Sequence, residues 1–430
     1  MIWNPEIETA SRNRVRAVQW ERLLNTANHV YKNVPFYRER LNACHLPPER
    51  WSSPGDLQKI PFTTKEDLRS YYPYGLFAVP RKEVVRIHAS SGTTGKPTVV
   101  GYTRADLDMW SECVARLVCM AGGRSGDIAQ ISFGYGLFTG ALGLHYGLEK
   151  VGAAVIPISS GNTEKQLMVM QDFETTILVC TPSYALYLSE TAEKLGIDLE
   201  KLSLRIGMFG GEGHTLEMSK EIERRLGILV TENYGLSEVL GPGVSGECPY
   251  KTGMHINEDY FLLEIIDPVT GEVLPDGAEG ELVITTLKKE AFPIIRYRTR
   301  DITSLHYERC ECGRTSARMA KVKGRSDDML IIKGVNVYPS QVESVIVGME
   351  HISPYYQLVV KKDGYTDVLE VHVELVDDKL LESFSELEKL EKTVKAQLYR
   401  VLGLDCHVRL REPGTMERTA GKAKRVLDLR

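Results

Sequence analysis

The sequence predicts an α/β fold: a large, multi-layered N-terminal domain with parallel sheets and a β segment, then a small α+β C-terminal domain. Three observations carry this. Between residues 127 and 235, short apolar runs alternate with helix-like segments, the pattern of βαβ units on a parallel sheet. Residues 259 to 306 change to period-two runs with turn signals at "PVTGE" and "PDGAEGE", which reads as antiparallel β structure. After "GRSDDM" the pattern restarts as a separate α+β unit. A chain of 430 residues also exceeds the roughly 250–300 at which single cores stop growing. The expected division is 1–326 and 327–430.

The elements follow in order. Residues 11 to 42 read as helix, with Trp20, Leu23, Leu24, Ala27 and Tyr31 at helical spacing, interrupted where Pro35 disfavours helix at the residue before it. In "PFTTKEDLRSYYP", Thr64 is an N-cap candidate and Asp67 stands three residues on. The strands of the alternating region are "DIAQISF", "AAVIPIS", "TILVCTPS", "LRIGMFGGE" and "ILVTENYG", with helices expected at 162–173 and 183–196. In the last unit, "YQLVVKKDGYTDVLEVHVELV" reads as a hairpin, followed by a charged helix near 381–401 and the closing run "CHVRLREPG".

Bulk chemistry narrows the function. A net charge of −5 argues against nucleic-acid binding, which favours a basic domain. No run approaches the roughly 18 uninterrupted apolar residues of a membrane helix. The N-terminus becomes charged at once and has no apolar core of a signal peptide. Eight cysteines form no disulfide framework, so the cytoplasm is the expected compartment.

The most unusual stretch is "RIHASSGTTGKPTVVGY", a hydroxyl- and glycine-rich loop between two strand-like runs. Glycines let the backbone approach an anion, while closely spaced N–H groups and hydroxyls cradle phosphate oxygens. Lys96 adds a positive charge. The loop lacks the G-x-x-x-x-G-K-[ST] pattern of the usual P-loop, and by itself it is also compatible with a surface linker. Four further motifs change that reading: "NYGLSE" at 233–238, "YRTRD" at 297–301, "GRSDDMLIIKGVNVYP" at 324–339 and "RTAGKAKR" at 418–425. In this order they resemble the adenylate-forming superfamily of acyl-coenzyme A synthetases, adenylation domains and luciferases. Within it, "YKNVPFYRERL", "SFGYGLFTGALGLHYG", "GMFGGEG" and "GVNVYPSQVE" resemble the phenylacetate–coenzyme A ligases.

The resemblance implies a reaction and its residues. A carboxylate is a poor acyl donor. ATP converts it to an acyl-adenylate with release of pyrophosphate, and the thiol of coenzyme A then attacks the activated carbonyl. Ser90, Ser91, Gly92, Thr93, Thr94, Gly95 and Lys96 resemble the loop that holds the ATP phosphates. Gly210, Gly211 and Glu212 resemble the wall beside adenine, continued by Asn233, Tyr234 and Gly235. Ser237 matches a position near the α-phosphate, and Glu238 matches the Mg²⁺ carboxylate. Asp301 resembles the acceptor of the ribose hydroxyls. Arg300 stands where the wider superfamily has glycine, as in phenylacetate ligases. Arg325 matches a nucleotide-contacting position, and Lys422 the lysine that approaches the carboxylate and α-phosphate during adenylation. Tyr135, Gly136 and Phe138 are expected to line the acid pocket. Asp327 resembles the hinge of a mobile C-terminal domain, and a homodimer would fit the family.

Cys248, His255, Cys310 and Cys312 form a Cys₃His set compatible with a structural Zn²⁺. The other five cysteines show no partner spacing and read as small buried hydrophobes. Two alternatives stay open at this level: an adenylating enzyme that delivers its acyl group to a separate carrier protein, and a non-catalytic nucleotide sensor. The sequence does not name the aryl acid.

Overall fold

The computed structural model describes residues 1–90, 97–333, 335–363, 366–419 and 422–430. A nine-stranded mixed sheet organises the larger part of the chain. Its parallel half runs, in space, Ala154–Ile156, Ile128–Ile131, Ile177–Cys180, Ile206–Phe209 and Leu229–Leu236. These are the five runs of the alternating region. Ile177–Cys180 and Ile206–Phe209 are buried at every residue, which is why they read as unbroken apolar runs. Helices Thr163–Asp172 and Pro182–Lys194 cross between them, close to the expected 162–173 and 183–196.

The other half of this sheet is antiparallel: Gly241–Glu247, Met254–Ile256, Arg318–Met319 and Leu305–His306. Sequence reasoning saw no strand in "GPGVSGE", because glycine and proline lack β propensity. Packing explains the composition. Helix Arg104–Met120 lies directly against this strand, and a Cβ on Gly246 would sit 2.7 Å from Leu117. Gly241 adopts φ +113° beneath Trp110.

Phe261–Ile266, Gly280–Thr286, Tyr297–Thr303 and Gly324–Arg325 form a second, antiparallel sheet. Its register sets Asp301 opposite Arg325. At the N-terminus, Val34 is extended and separates helix Arg12–Asn33 from helix Pro35–Ala43. Pro35 opens the second helix, where its missing N–H would have had no partner anyway. Thr64 and Asp67 cap helix Lys65–Ser70 reciprocally, with Thr64 N–H donating to Asp67 Oδ2 at 2.8 Å.

The C-terminal unit has its own core, including Leu330, Ile332, Val342, Ile346, Leu358, Val371, Val394 and Leu398. It begins just after the turn at 326–328. Ile352–Asp363 and Thr366–Leu375 form the expected antiparallel pair, packed with helices Pro339–Ile346 and Phe384–Leu402. Both outer strands, His407–Arg411 and Val426–Asp428, pair in parallel. The last one was not legible in the sequence, since three residues carry no period. No described helix is long and apolar enough to cross a membrane.

Candidate active site

A cleft of about 1200 Å³ opens at the C-terminal ends of the parallel strands and is closed over by the C-terminal unit. It exceeds the roughly 300–1,000 Å³ of an ordinary ligand pocket, so it has room for more than one reactant. Gly210, Gly211, Glu212, Asn233, Tyr234, Gly235, Ser237, Glu238, Asp301, Arg325, Asp327 and Lys422 all line it. Motifs scattered over the chain thus converge on one volume.

The strand ends explain the geometry. Gly210 follows the buried strand Ile206–Phe209, and a Cβ there would lie 2.7 Å from the Asn233 carbonyl. Asn233 donates its side-chain N–H to Phe209 O at 2.8 Å and locks the two strand ends together. Ser237 Oγ lies 2.9 Å from Thr139 Oγ1, and Thr139, which sequence reasoning missed, lines the cleft too. Glu238 is 8% exposed, faces the cleft, and forms no ion pair among the described residues.

Behind Glu238 sits Lys289, a buried lysine that no motif singled out. Its ammonium donates to Val239 O at 2.9 Å and lies 4.7 Å from the Tyr102 ring centroid. Burial pushes its pKa down to about 8, while the charges of Asp106 and Glu238 pull the other way.

Tyr234, Asp301 and Arg325 form a connected group. Tyr234 donates its hydroxyl to Asp301 Oδ2 at 2.5 Å, and Arg325 Nη1 lies 3.4 Å from Asp301 Oδ1. Arg325 is itself held by both oxygens of Asp327, at 2.8 and 2.9 Å. Burial raises Asp301 to about 6, against the lowering effects of Tyr234 and Arg325. Arg300, in the glycine position, adopts φ +71°, the left-handed region that costs a non-glycine residue about 1–2 kcal/mol. Its N–H donates to Glu281 Oε1 at 3.3 Å and its guanidinium lies 3.6 Å from Glu281 Oε2, contacts a glycine could make only in part.

Ser91, Gly92, Thr93, Thr94, Gly95 and Lys96 lie outside the described residues. The base of their loop is defined: Ser90 N–H donates to Thr98 O and Thr98 N–H to Ser90 Oγ, both at 2.9 Å. Strands Arg86–Ala89 and Val99–Tyr102 pair antiparallel on either side. Phe138 lines the cleft together with Phe133 and Leu144, whereas Tyr135 and Gly136 lie outside the lining. The Tyr135 hydroxyl turns instead to His145 Nδ1 at 3.0 Å. Of the three expected positions only Phe138 faces the cleft, because this loop turns Tyr135 toward His145.

The Cys/His set also converges. The ligand atoms of Cys248, His255, Cys310 and Cys312 all lie within 4.8 Å of one another. Cys248 and Cys310 sulfurs are 3.8 Å apart, and Cys312 Sγ is 3.3 Å from His255 Nε2. Hydrogen bonds from Cys248 and His255 push the Cys312 thiol down, toward the thiolate a metal prefers. None of the four lines the cleft.

The AMP-binding enzyme family matches residues 51–287, and the AMP-binding enzyme C-terminal domain matches residues 334–430. A phenylacetate–coenzyme A ligase from Aromatoleum evansii is 52% identical, over 99% of this chain and 96% of its own. One from Thermus thermophilus is 48% identical over the full length of both, and one from Escherichia coli is 50% identical over 99% of this chain and 97% of its own. This chain belongs to the phenylacetate–coenzyme A ligase family. Among solved structures, 2-hydroxyisobutyryl-CoA ligase in the postadenylation state, in complex with 2-HIB-AMP, superimposes with a TM-score of 0.94 at 26% identity, covering 99% of this chain and 92% of that one. The same ligase in the thioesterification state, with equal coverage and 27% identity, gives 0.73. Equal coverage with a lower score is what a reoriented domain produces. The two units here are therefore arranged as in the postadenylation structure of 2-hydroxyisobutyryl-CoA ligase.

Proposed function

We propose that the chain is an ATP-dependent acid–thiol ligase that joins an aryl acid, phenylacetate first among them, to coenzyme A through an acyl-adenylate. AMP and pyrophosphate are the other products. The observation that carries this reading is the convergence of Asp301, Arg325, Glu238 and Lys422 on one cleft.

Each group suits a step. Asp301 is a half-buried acceptor of the kind that takes two ribose hydroxyls, and Tyr234 and Arg325 hold its orientation. Glu238 offers a hard oxygen without a competing ion pair among the described residues, which fits Mg²⁺, and that ion would neutralise phosphate charge as pyrophosphate leaves. Ser237 stands beside it for the α-phosphate. Lys422 brings a mobile positive charge to the carboxylate and α-phosphate as the P–O bond forms. Phe133 and Phe138 supply flat apolar surface for an aryl ring. Thiol attack needs the Lys422 segment out of the way, which a rotation of the C-terminal unit at Asp327 achieves, dividing the chain at 326/327. Transfer to a separate carrier protein is not favoured, since the relatives named above are coenzyme A ligases.

Cys248, His255, Cys310 and Cys312 fit a structural Zn²⁺. A tetrahedral site with Zn–S near 2.3 Å has a sulfur–sulfur edge of about 3.8 Å, and Cys248 and Cys310 meet it. His255 Nδ1 is engaged by Ser316 Oγ at 3.1 Å, which leaves Nε2 for the metal. Eight free thiols accord with a cytoplasmic location.

The test is a panel of carboxylic acids assayed for acid-dependent pyrophosphate release, then for thioester on adding coenzyme A. Aryl acids should give both. Nucleotide binding without acid-dependent pyrophosphate would reject the reading, and adenylation without thioester would favour the carrier alternative.

A further inference from the structure

The segment that carries Lys422 meets the large domain at the carboxylate of Glu212. Glu212 Oε2 accepts the Ala423 N–H at 3.0 Å, and Ala423 is the next residue after Lys422. Glu212 Oε1 accepts the Ser183 N–H at 2.8 Å. Ser183 is the second residue of helix Pro182–Lys194, and an N–H there has no partner within the helix. Thr181 caps the next one by accepting from Tyr184 N–H, so Glu212 completes the helix start and is held by it. A negative charge is also favoured at that end of a helix. One oxygen is thus fixed by the large domain and the other is held out to the C-terminal unit. Further contacts flank the bridge: Arg425 Nη2 reaches Ser183 Oγ at 3.4 Å, Glu343 accepts the Thr215 N–H at 2.9 Å, and Arg418 Nη2 lies 3.5 Å from Glu190 Oε2.

We propose that Glu212 is a positioning residue that presents Lys422 to the cleft during adenylation, acting through the backbone of Ala423. This rests on the reading that Lys422 serves adenylation. It departs from the assignment of Glu212 to the adenine wall, because both carboxylate oxygens are already engaged by backbone donors. The physical need is plain. A lysine side chain is long and freely rotating, so where its ammonium arrives is set by where its backbone is held. Lys422 is exposed, and among the described residues the Ala423 N–H bond to Glu212 holds the backbone right beside it. The bond joins two domains, so a reorientation of the C-terminal unit breaks it. Glu212 therefore supports one half-reaction and has no hold on Lys422 in the other.

The experiment compares Glu212→Gln, Lys422→Ala and the double variant in the full-length protein. Gln keeps the size of the side chain but offers one acceptor in place of two. Three readouts are needed: pyrophosphate release with acid and ATP but without coenzyme A, thioester formation from supplied acyl-adenylate, and ATP affinity without acid. Glu212→Gln is expected to lower the ratio of adenylation to thioester formation by about tenfold to a hundredfold, to leave ATP affinity within about twofold, and to add no further loss of adenylation in the Lys422→Ala background. A fall in ATP affinity large enough to account for the slower adenylation would return Glu212 to the nucleotide wall and overturn the proposal. So would an undiminished further loss in the double variant. If Lys422→Ala alone adenylates at the native rate, the lysine assignment fails as well, and that single variant tells the two failures apart.

Discussion

Tyr234 donates its phenolic hydroxyl to Oδ2 of Asp301 over 2.5 Å, and this bond joins strand Leu229–Leu236 of the nine-stranded sheet to strand Tyr297–Thr303 of the antiparallel sheet beside it. Asp301 is held between Tyr234 and Arg325, and burial outweighs both, raising its pKa to about 6. The bound ribose would meet a carboxylate whose charge state changes within the working range of an enzyme.

The sign follows directly. Asp301 accepts hydrogen bonds best when ionised, and it becomes protonated as pH falls through about 6. ATP affinity should therefore weaken below pH 6 and level off above it. Asp301→Asn should bind ATP weakly at every pH and lose that inflection. An ATP affinity that is flat from pH 5 to pH 8 in the native protein would show that Asp301 does not hold the ribose as its carboxylate.

Lys422→Ala should separate the two half-reactions. Adenylation is expected to fall by roughly a hundredfold or more, the scale of losing one charge-stabilising donor. Conversion of supplied acyl-adenylate to thioester should persist. Single-turnover assays of each step decide it, and equal loss of both would refute the division of labour.

Metal content gives an independent check. Protein purified without chelator should carry about one zinc per chain. Cys310→Ser should lose most of that metal and lower the melting temperature, because buried Cys248 and Cys310 then lack the ion that holds them. Four protein ligands leave no open position, so the zinc should support stability and not turnover. Metal-free native protein with an unchanged melting temperature would exclude the site.

Asp327 lies in the turn between Arg325 and the first core residue of the C-terminal unit, Leu330. Proline fixes φ and removes an N–H, so Asp327→Pro should hold the turn in one conformation. One half-reaction should slow at least about tenfold relative to the other. Native rates for both would remove Asp327 from the hinge.

Some of this site was legible because its residues travel together. "NYGLSE" names Asn233, Tyr234, Ser237 and Glu238 through its resemblance to a family motif, and the end of strand Leu229–Leu236 brings them to the cleft. Other residues were legible only as chemical types. Tyr135 and Phe138 share a loop and an aromatic character, yet only Phe138 lines the cleft, since the Tyr135 hydroxyl is claimed by His145. Lys289 was invisible. It sits beside Lys288 in the sequence, and what buries one of the pair is the distant ring of Tyr102 together with the carbonyl of Val239.

By itself, then, the sequence determined the alternation of strands and helices, the cap at Thr64 and the break at Pro35, which depend on bonds and periodicities spanning a few residues. Its motifs named candidate site groups through their resemblance to a family. The tertiary structure decided which of those groups share a volume: Asp301 beside Arg325 through strand register, Cys248 against Cys310 across 62 residues, and Ala423 on Glu212 across a domain interface. Such pairings come from long-range packing, where the gain is shared by many contacts and no local stretch of chain encodes the partner.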